Sequence, residues 1–343
     1  MDMDDAPVRS LDEVRSLLST LPAADAAAAA AVTARENNLL KPPGALGRLE
    51  DLTAWLAAWQ GRSPPRLDDV RAVVFAGNHG VAARGVSAYP ASVTEAMVAA
   101  FERRQAAINQ ICLQVDVALT VDPLALDTPT ADFTEAPALS DDAFVEAINR
   151  GLAAAAAGGD LLCLGEMGIA NTTAAAALVH ALYGGAPAAW TGPGTGVDTA
   201  TYRRKVDAVA AGVRRHRAEA RDPLDLLRRI GGREMAAIVG AVLGARLRRM
   251  PVILDGFTAT AAAAVLTRLR PDALDHCQVG HVSAEPGHRL LLSRLGRRPL
   301  FDLSMRLGEA SGAVLAVALV RAAVACHTGM ATFAEAGVSG ADT

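Results

Sequence analysis

The sequence is poor in aromatic residues and in cysteine, and neither sign of charge dominates it. Aromatic residues make up 4% of 343 residues, so alanine and leucine fill most of the core, which favours a helix-rich α/β fold over a β-sandwich. The four cysteines form no C-x-x-C pair, which argues against a zinc site or a disulfide framework. The net charge of -4 lacks the excess of basic residues typical of nucleic-acid-binding proteins. We therefore expect no nucleic-acid partner.

A secretion signal and a long uninterrupted apolar run are also missing. The segment from Met1 to Asp5 is acidic and lacks the basic and then apolar pattern of a signal peptide. The longest apolar stretches are rich in alanine, and Arg246 or Arg321 interrupts them. None reaches the roughly 20 apolar residues that a membrane span needs. The sequence thus predicts a cytoplasmic protein with no membrane span.

Short apolar runs alternate with helical patterns through most of the chain. Four runs have the length and composition of buried strands: 71–76, 117–121, 160–164 and 251–254. Helical patterns follow them at 92–114, 141–157, 172–183, 198–250 and from 258 onward. Alternation of this kind implies a parallel sheet covered by helices, which is an α/β fold.

Glycine-bearing segments follow three of these strands, at 77–80, 165–168 and 255–256. The carboxyl ends of parallel strands lie at one edge of a sheet, and ligands bind in the crevice beyond that edge. We therefore expect the three segments to converge on one crevice.

One carboxylate stands out in the segment 305–312. Glu309 lies between Gly308 and Gly312, at the start of the apolar stretch 313–326. The glycines allow the backbone to approach a ligand, and apolar surroundings raise the pKa of a carboxyl group and make it a better base. Glu309 is therefore a candidate general base. The alternative is a carboxylate that complements the dipole at the start of a helix.

The segment 165–173 combines polar groups at the end of a predicted strand. It offers Glu166, then Gly168 in a turn, and then Asn171 and Thr172 where a helix begins. A carboxylate, an amide and hydroxyl groups at a strand end suit a ribose-phosphate pocket. The alternative is a helix N-cap provided by Asn171 or Thr172.

A glycine-rich loop lies just before the helical stretch that starts near residue 198. Its N–H groups, from Gly194, Thr195 and Gly196, can form a nest for an anion. Its spacing fits neither a Walker A loop nor a dinucleotide fingerprint. Lys205, about two turns into the helix, can supply a cation for a phosphate. A plain turn and a surface lysine are the alternatives.

A long loop follows the first predicted strand and carries several polar side chains. Asn78 and His79 lie at its start, and Ser87 and Tyr89 lie further along. His79 can serve as an acid, as a base or as a hydrogen-bonded loop residue. The sequence alone leaves these roles open.

The segment 280–288 contains His281, Glu285 and His288. Histidine and carboxylate side chains are possible metal ligands. Pro286 breaks any helical face that they would share, and the zinc-binding pattern H-E-x-x-H does not occur. We therefore expect these side chains to support the site through hydrogen bonds, with no metal.

Seven motifs, in order, resemble those of the nicotinate-nucleotide–dimethylbenzimidazole phosphoribosyltransferase family, which acts in assembly of the cobalamin nucleotide loop. The motifs are KPPGALGRLE (41–50), GNHGVAARGVSAYP (77–90), GEMGIANTT (165–173), GPGTGVD (192–198), DGFTATAAA (255–263), GHVSAEPGH (280–288) and MRLGEASGA (305–313). Together they cover almost the whole chain.

The resemblance implies transfer of the phosphoribosyl group from nicotinate mononucleotide to 5,6-dimethylbenzimidazole, with inversion at the anomeric carbon. The products would be nicotinate and α-ribazole 5′-phosphate. The resemblance implies no metal or redox cofactor, and it implies a homodimer. The implied fold is a Rossmann-like parallel sheet flanked by helices, with a small helical domain from both chain ends. That domain would comprise residues 1–66 together with 313–343, and residues 67–312 would form the α/β catalytic domain.

The resemblance also implies roles for single residues. The catalytic glutamate of the family falls on Glu309, and its second active-site glutamate falls on Glu166. Its phosphate-contacting lysine falls on Lys205. The candidates for the pocket that binds the acceptor base are Asn78, His79, Ser87, Tyr89 and Gly308.

Three positions depart from the family pattern. Ala45 stands where serine is usual, Arg103-Arg104-Gln105 replaces a glycine-rich step, and Ala310 stands where glycine is usual. Because Ala310 directly follows the proposed base, the identity of the preferred acceptor stays open. The alternatives to 5,6-dimethylbenzimidazole are a purine, another benzimidazole or a phenol.

Two further alternatives are a non-catalytic nucleotide-binding paralogue and a nicotinamide-dependent dehydrogenase. Retention of both glutamates and of the lysine argues against the first. The second lacks a G-x-G-x-x-G after the first predicted strand.

Overall fold

The computed structural model describes residues 7–339, and a parallel sheet forms their centre. Its strands are β1 (Val70–Ala76), β2 (Ala118–Pro123), β3 (Leu161–Met167), β4 (Val252–Leu254) and β5 (Cys277–Val279). They lie in the order β2-β1-β3-β4-β5 and pair in parallel. The predicted α/β fold with a parallel sheet is confirmed. The acidic segment from Met1 to Asp5 lies outside the described residues.

Helices surround the sheet. They are α1 (Leu11–Ser19), α2 (Ala26–Glu36), α3 (Arg48–Gln60), α4 (Ser92–Glu102), α5 (Ala107–Gln114), α6 (Asp141–Ala156), α7 (Asn171–Tyr183), α8 (Pro187–Trp190), α9 (Thr199–His216), α10 (Pro223–Ile230), α11 (Arg233–Leu247), α12 (Phe257–Thr267), α13 (Pro286–Leu295) and α14 (Ser311–Gly329), with a 3-10 helix at Gly80–Arg84. Polar side chains begin several of them: Ser140 caps α6, Asp198 caps α9 and Asp222 caps α10.

Alternate residues of the strands enter two different cores. Val73 and Phe75 of β1 pack with α6, α7, α11 and α12 on one face of the sheet. Their neighbours Ala72 and Val74 pack with α3, α5 and α14 on the other face. Successive side chains of a strand point to opposite faces, so a strand that is apolar at every position is buried between two helical layers.

The strand order reverses between β1 and β3, which are neighbours in the sheet. The chain passes from β1 outward to β2, then returns to β3 on the other side of β1. A reversal of this kind opens a crevice at the carboxyl ends of the two strands. The N–H of Gly77 donates to the carbonyl of Met167 at 3.0 Å, so the segments that follow the two strands meet there.

Some predicted elements are divided differently in the structure. The helix predicted over 92–114 is broken between α4 and α5, where Arg104 adopts a left-handed φ of 58°. The stretch predicted over 198–250 is three helices, because Asp222 caps a new helix and Gly231 and Gly232 separate α10 from α11. Strand β5 was not predicted, since three residues are too few to show a period.

The division of the chain into two domains stays a prediction. Segments near the chain start contact both predicted parts. Val8 exchanges hydrogen bonds with the side chain of Asn149 on α6, and α1 contributes to the same core as α6. In contrast, α2 joins the end of α14, where His327 lies 2.7 Å from Glu36.

Helix α14 is long and apolar enough to cross a membrane by length and composition, although the sequence interpretation judged the stretch too short because Arg321 interrupts it. Its packing is that of a core helix. Ala313, Val314 and Val317 are buried against the sheet, and Arg321 donates hydrogen bonds to the carbonyls of Leu67 and Asp116.

Candidate active site

A cleft with a volume of about 100 Å³ lies at the carboxyl edge of the sheet. Its walls come from Val86, Ser87 and Lys205 and from segments within 166–172, 193–197, 256–258, 281–285 and 306–308. Two of the three glycine-bearing segments therefore meet in one crevice, as predicted. The third, 77–80, lies behind the wall: a Cβ on Gly168 would approach the carbonyl oxygen of Gly77 at 2.5 Å.

A tight turn against β3 places Glu309. Both Glu309 and Ala310 have a left-handed backbone, with φ of 64° and 62°. The N–H of Glu309 donates to the carbonyl of Glu166 at 3.1 Å. Gly165 permits this contact, because a Cβ there would lie 2.0 Å from the nitrogen of Ala310. The backbone of the turn is thus in direct contact with the strand.

The Glu309 carboxyl group is buried, and one of its two oxygens is unpaired. Its side chain is 3% exposed, and Oε2 has no hydrogen-bond partner among residues 7–339. Burial, and then the negative charge of Asp255, raise the pKa of Glu309 to about 7. A carboxyl group of this kind can accept a proton near neutral pH. Because Glu309 lies two residues before the start of α14, the alternative of a carboxylate that complements the helix dipole stays open.

Glu166 is a second buried carboxyl group in the cleft. Burial raises its pKa to about 8, and Asp255 and Glu234 add to the increase, whereas a hydrogen bond from Asn171 opposes it. The side chain of Asn171 donates to Oε2 of Glu166, and α7 has no side-chain cap in the described structure. Glu166 and Asn171 thus form one polar wall of the cleft, whereas Glu309 lies next to the lining residue Gly308 and is not itself among the lining residues. The N-cap interpretation of Asn171 is wrong.

Lys205 forms the opposite end of the cleft. Its side chain is 2% exposed, so the surface-lysine alternative is wrong. Its Nζ donates to Oγ1 of Thr172 at 3.1 Å. Burial lowers the pKa of Lys205, and Glu285 partly offsets this effect. A buried cation whose described side-chain partner is neutral is a suitable ligand for an anion.

The glycine-rich loop is held in place by two charged side chains. The N–H of Gly194 donates to Oε1 of Glu285 at 2.8 Å, so this donor is already engaged. Arg306 donates to the carbonyl of Gly194 at 2.8 Å. Thr195 also lines the cleft, whereas Gly196, with a φ of 104°, shapes the turn beyond the lining residues.

The predicted acceptor-pocket residues separate into three groups. Ser87 and Gly308 line the cleft. Asn78 and His79 are buried behind it: Asn78 donates to the carbonyl of Leu126 at 2.8 Å, and Nε2 of His79 lies 2.7 Å from Glu234. Tyr89 is 51% exposed and is not among the lining residues. Direct contact of Asn78, His79 or Tyr89 with an acceptor stays a prediction.

Comparison with known proteins identifies the family of this fold and cleft. A family model described as "Phosphoribosyltransferase" matches residues 21–338. Proteins named nicotinate-nucleotide–dimethylbenzimidazole phosphoribosyltransferase, from Methylorubrum extorquens and Mesorhizobium japonicum, are both 56% identical over 97% of this chain, and the matches span 98% and 99% of those relatives. The chain belongs to this family.

Solved structures of the family have the same fold. A nicotinate-nucleotide–dimethylbenzimidazole phosphoribosyltransferase from Thermus thermophilus is 42% identical, with a TM-score of 0.85 over 92% of this chain and 100% of that chain. A structure of CobT from the same organism is 44% identical, with a TM-score of 0.86 over the same shares. The expected family, fold and enzyme class are thereby confirmed.

In this phosphoribosyltransferase His288 makes hydrogen bonds of the expected supporting kind, whereas Nδ1 of His281 has no hydrogen-bond partner among the described residues. His288 Nδ1 accepts the N–H of Ser283 at 2.8 Å, and its Nε2 lies 3.2 Å from the hydroxyl of Thr260. Burial lowers the pKa of His288 to about 3, so the ring is neutral. Residues 7–339 contain no group of three or more His, Cys, Asp or Glu side chains placed to hold a metal ion. A reaction without a cofactor stays a prediction.

Sequence reasoning missed three charged residues of the phosphoribosyltransferase site. Asp255 and Glu234 are buried close enough to affect the pKa of Glu166, and Arg306 lines the cleft. Asp255 follows a predicted strand directly, and Arg306 lies in the same motif as Glu309, so both positions carried a usable signal. Glu234 lies inside a helix, and no sequence feature connects it with the cleft.

Proposed function

We propose that this chain transfers the 5-phosphoribosyl group of nicotinate mononucleotide to 5,6-dimethylbenzimidazole, with Glu309 as general base. The products are nicotinate and α-ribazole 5′-phosphate. The observation that carries the proposal is a buried carboxyl group with an unpaired oxygen, beside a cleft that contains a buried lysine. The carboxyl group is suited to accept a proton, and the lysine is suited to bind the phosphate of the donor.

The donor is positioned by its phosphate. Lys205, next to the hydroxyl of Thr172, binds this group, and the glycine-rich loop closes over it. The phosphate is remote from the reacting carbon, so its binding energy is available to orient the ribose. Glu166 and Asn171 line the cleft and bind ribose hydroxyl groups.

The leaving group departs without acid catalysis. The ring nitrogen of nicotinate mononucleotide is a pyridinium, so the electron pair of its bond to the anomeric carbon neutralises it as the bond breaks. Positive charge then develops on the sugar. When ionised, the buried carboxyl groups Glu166, Glu309 and Asp255 create a negative potential there, and positive charge on the pyridinium ring and the reacting sugar favours their ionised forms.

The acceptor requires a base. One ring nitrogen of dimethylbenzimidazole attacks the anomeric carbon with its lone pair, and the proton on the other nitrogen must leave. The carboxylate of Glu309 accepts this proton. General-base assistance of this kind contributes roughly 10²- to 10⁴-fold to a rate, and a pKa of about 7 suits a reaction at neutral pH.

The test is a direct assay. Purified protein is incubated with nicotinate mononucleotide and 5,6-dimethylbenzimidazole, and α-ribazole 5′-phosphate is sought by chromatography and mass spectrometry. Parallel reactions contain adenine, an unsubstituted benzimidazole or p-cresol, because a different lower-ligand base is the main alternative. Absence of a ribosylated product with every acceptor would support a non-catalytic, nucleotide-binding paralogue instead.

We also propose that the enzyme is a cytoplasmic homodimer. Leu303 and Leu307, in the segment that leads to Glu309, are 63% and 54% exposed, and a second copy would remove them from water. The four cysteines are all unpaired thiols, which suits a reducing compartment. Light scattering coupled to size-exclusion chromatography tests the dimer: a monomeric mass at micromolar concentration would contradict it.

A further inference from the structure

Asp255 joins the end of β4 to the start of α14. Its side chain is 1% exposed. Its Oδ1 accepts the N–H of Gly312 at 2.7 Å and that of Ala313 at 3.0 Å. These N–H groups belong to the first turn of α14, which has no side-chain cap from Ala310, the residue at its own N-cap position. A residue distant in sequence therefore caps the helix that begins directly after Glu309 and Ala310.

Glycines make this arrangement possible. A Cβ on Gly312 would lie 2.0 Å from Cδ2 of His281. His281 lies 3.6 Å from Oδ1 of Asp255 and stacks on Phe301. The second oxygen of Asp255, Oδ2, has no hydrogen-bond partner in the described part of the chain. The carboxylate is thus fixed through one oxygen only.

We propose that Asp255 is a positioning residue for Glu309: two hydrogen bonds to α14 hold the turn that carries the base, and the carboxylate places a negative charge behind it. This inference rests on the proposed role of Glu309 as general base. Asp255 is called a positioning residue because its hydrogen bonds go to the backbone of α14 and its carboxylate lies against His281.

The charges around the base support an electrostatic contribution from Asp255. The titratable side chains that face this region are Cys163 and Glu166 on β3, Glu234 on α11, Asp255 after β4 and His281 after β5. Of these charges, Asp255 is the one that raises the pKa of Glu309, second only to burial. Burial raises the pKa of Asp255 too, whereas His281 and the N–H groups of α14 favour its anion.

The sign of the pH dependence follows from these interactions. Glu309 accepts a proton only when it is ionised, so we expect kcat/KM to fall as the pH decreases through about 7. Without the charge of Asp255, the ionisation of Glu309 costs less free energy, so the pKa of Glu309 is lower. The acidic limb of the profile then moves to lower pH.

The decisive variant is Asp255→Asn. Its amide oxygen can still accept from Gly312 and Ala313, and its nitrogen takes the place of the unpaired Oδ2, so the turn is kept while the charge is lost. We expect the acidic limb of kcat/KM to move down by about one pH unit, the lower end of the effect of a nearby like charge. Carbon-13 NMR titration of the Glu309 carboxyl group, assigned by comparison with Glu309→Gln, should show the same shift.

Glu234→Gln is the matched control. It removes another buried negative charge while keeping a partner for His79, but Glu234 raises the pKa of Glu166 rather than that of Glu309. Because Glu166 and Glu309 interact, the titration of Glu309 can respond indirectly in this variant, but it should move less than in Asp255→Asn. An equal shift in both variants would contradict a specific role of Asp255, because any buried negative charge in this region would then have the same effect.

Two outcomes separate this inference from the proposed function. An unchanged acidic limb and an unchanged Glu309 titration in folded Asp255→Asn would overturn the positioning role alone. If that variant does not fold, Asp255→Ser, which is smaller and keeps an acceptor, makes the same comparison. Full activity of Glu309→Gln would instead overturn Glu309 as the base, whatever Asp255 does.

Discussion

At the scale of the residue, the site depends on ionisable groups that the fold removes from water. Glu309, Glu166 and Lys205 are each less than a tenth exposed. Removing a charge from water favours the neutral form, and burial is the first cause of the shifted pKa of all three. Their chemistry therefore depends on burial as much as on residue type.

Replacement of Glu309 by glutamine tests its role as a base. Gln has nearly the same shape but cannot accept the acceptor proton, so we expect kcat to fall at least ~100-fold. Nicotinate mononucleotide should bind with an unchanged Kd, because its phosphate is held by Lys205. Steady-state rates and calorimetric titration measure the two quantities. Near-normal turnover would remove Glu309 from the mechanism.

Replacement of Lys205 by alanine tests the phosphate end. Loss of a hydrogen bond between charged groups costs about 1.5 to 3 kcal/mol, which corresponds to a rise in the Kd for nicotinate mononucleotide of roughly 10- to 150-fold. Arg203→Ala is the matched control, since it removes the same charge from an exposed position on α9. Equal Kd values for the two variants would point to a different phosphate ligand.

At the scale of the element, the turn between Leu307 and α14 decides which side chains reach the cleft. Gly308 lines the cleft, and Glu309 is held by its backbone against β3. Ala310 is fully buried in the core formed by α14 and the sheet. Its methyl group lies against Gly165 of β3 and not among the lining residues of the cleft, so this departure from the family pattern gives no direct contact with an acceptor.

Ala310→Gly should accordingly leave the choice of acceptor unchanged. We expect the ratio of kcat/KM for dimethylbenzimidazole and adenine to stay within about twofold, an energy below 1 kcal/mol. Leu307→Ala is the comparison, because Leu307 lines the cleft and its loss should change the ratio. A shift of about tenfold in Ala310→Gly would show that the methyl group influences the pocket after all.

At the scale of the whole molecule, small residues allow the helical layers to pack at very short distances. Helices α6 and α11 touch backbone to backbone: a Cβ on Gly240 would lie 2.0 Å from the carbonyl oxygen of Ile148, and one on Gly151 would lie 1.9 Å from that of Ala237. The low aromatic content of the sequence fits this packing. Helices whose facing residues are alanine and glycine approach so closely that no room is left for aromatic side chains between them.

Gly240→Ala should therefore destabilise the fold. Overpacking of a tight interface costs about 1 to 3 kcal/mol, which should appear as a lower midpoint of urea unfolding. Gly329→Ala is the control: it lies at the exposed end of α14 with nothing within 4 Å of the added Cβ, and alanine should be neutral or stabilising there by up to about 1 kcal/mol. Equal midpoints in the two variants would show that the α6–α11 contact adjusts freely.

Local patterns were sufficient for much of this description. The apolar runs located β1, β3 and β4, because a buried parallel strand needs a continuous apolar sequence. A similar run located β2, although β2 is an edge strand without buried residues. The glycine-bearing segments marked the carboxyl edge of the sheet, and the motifs around Glu166, Lys205 and Glu309 indicated the family. Each of these signals lies within a short stretch of chain, so a sequence can carry it.

Contacts between distant segments were decided by the tertiary structure alone. Asp255 caps α14, 57 residues further along the chain, and Glu234 reaches the same region from within a helix. Glu285 occupies the N–H of Gly194, which the sequence had assigned to a phosphate. The sequence by itself determined the residue types, the family and the strands, because these depend on local pattern. Only the fold decided which charges lie together out of water, because burial and electrostatic coupling depend on distances in space.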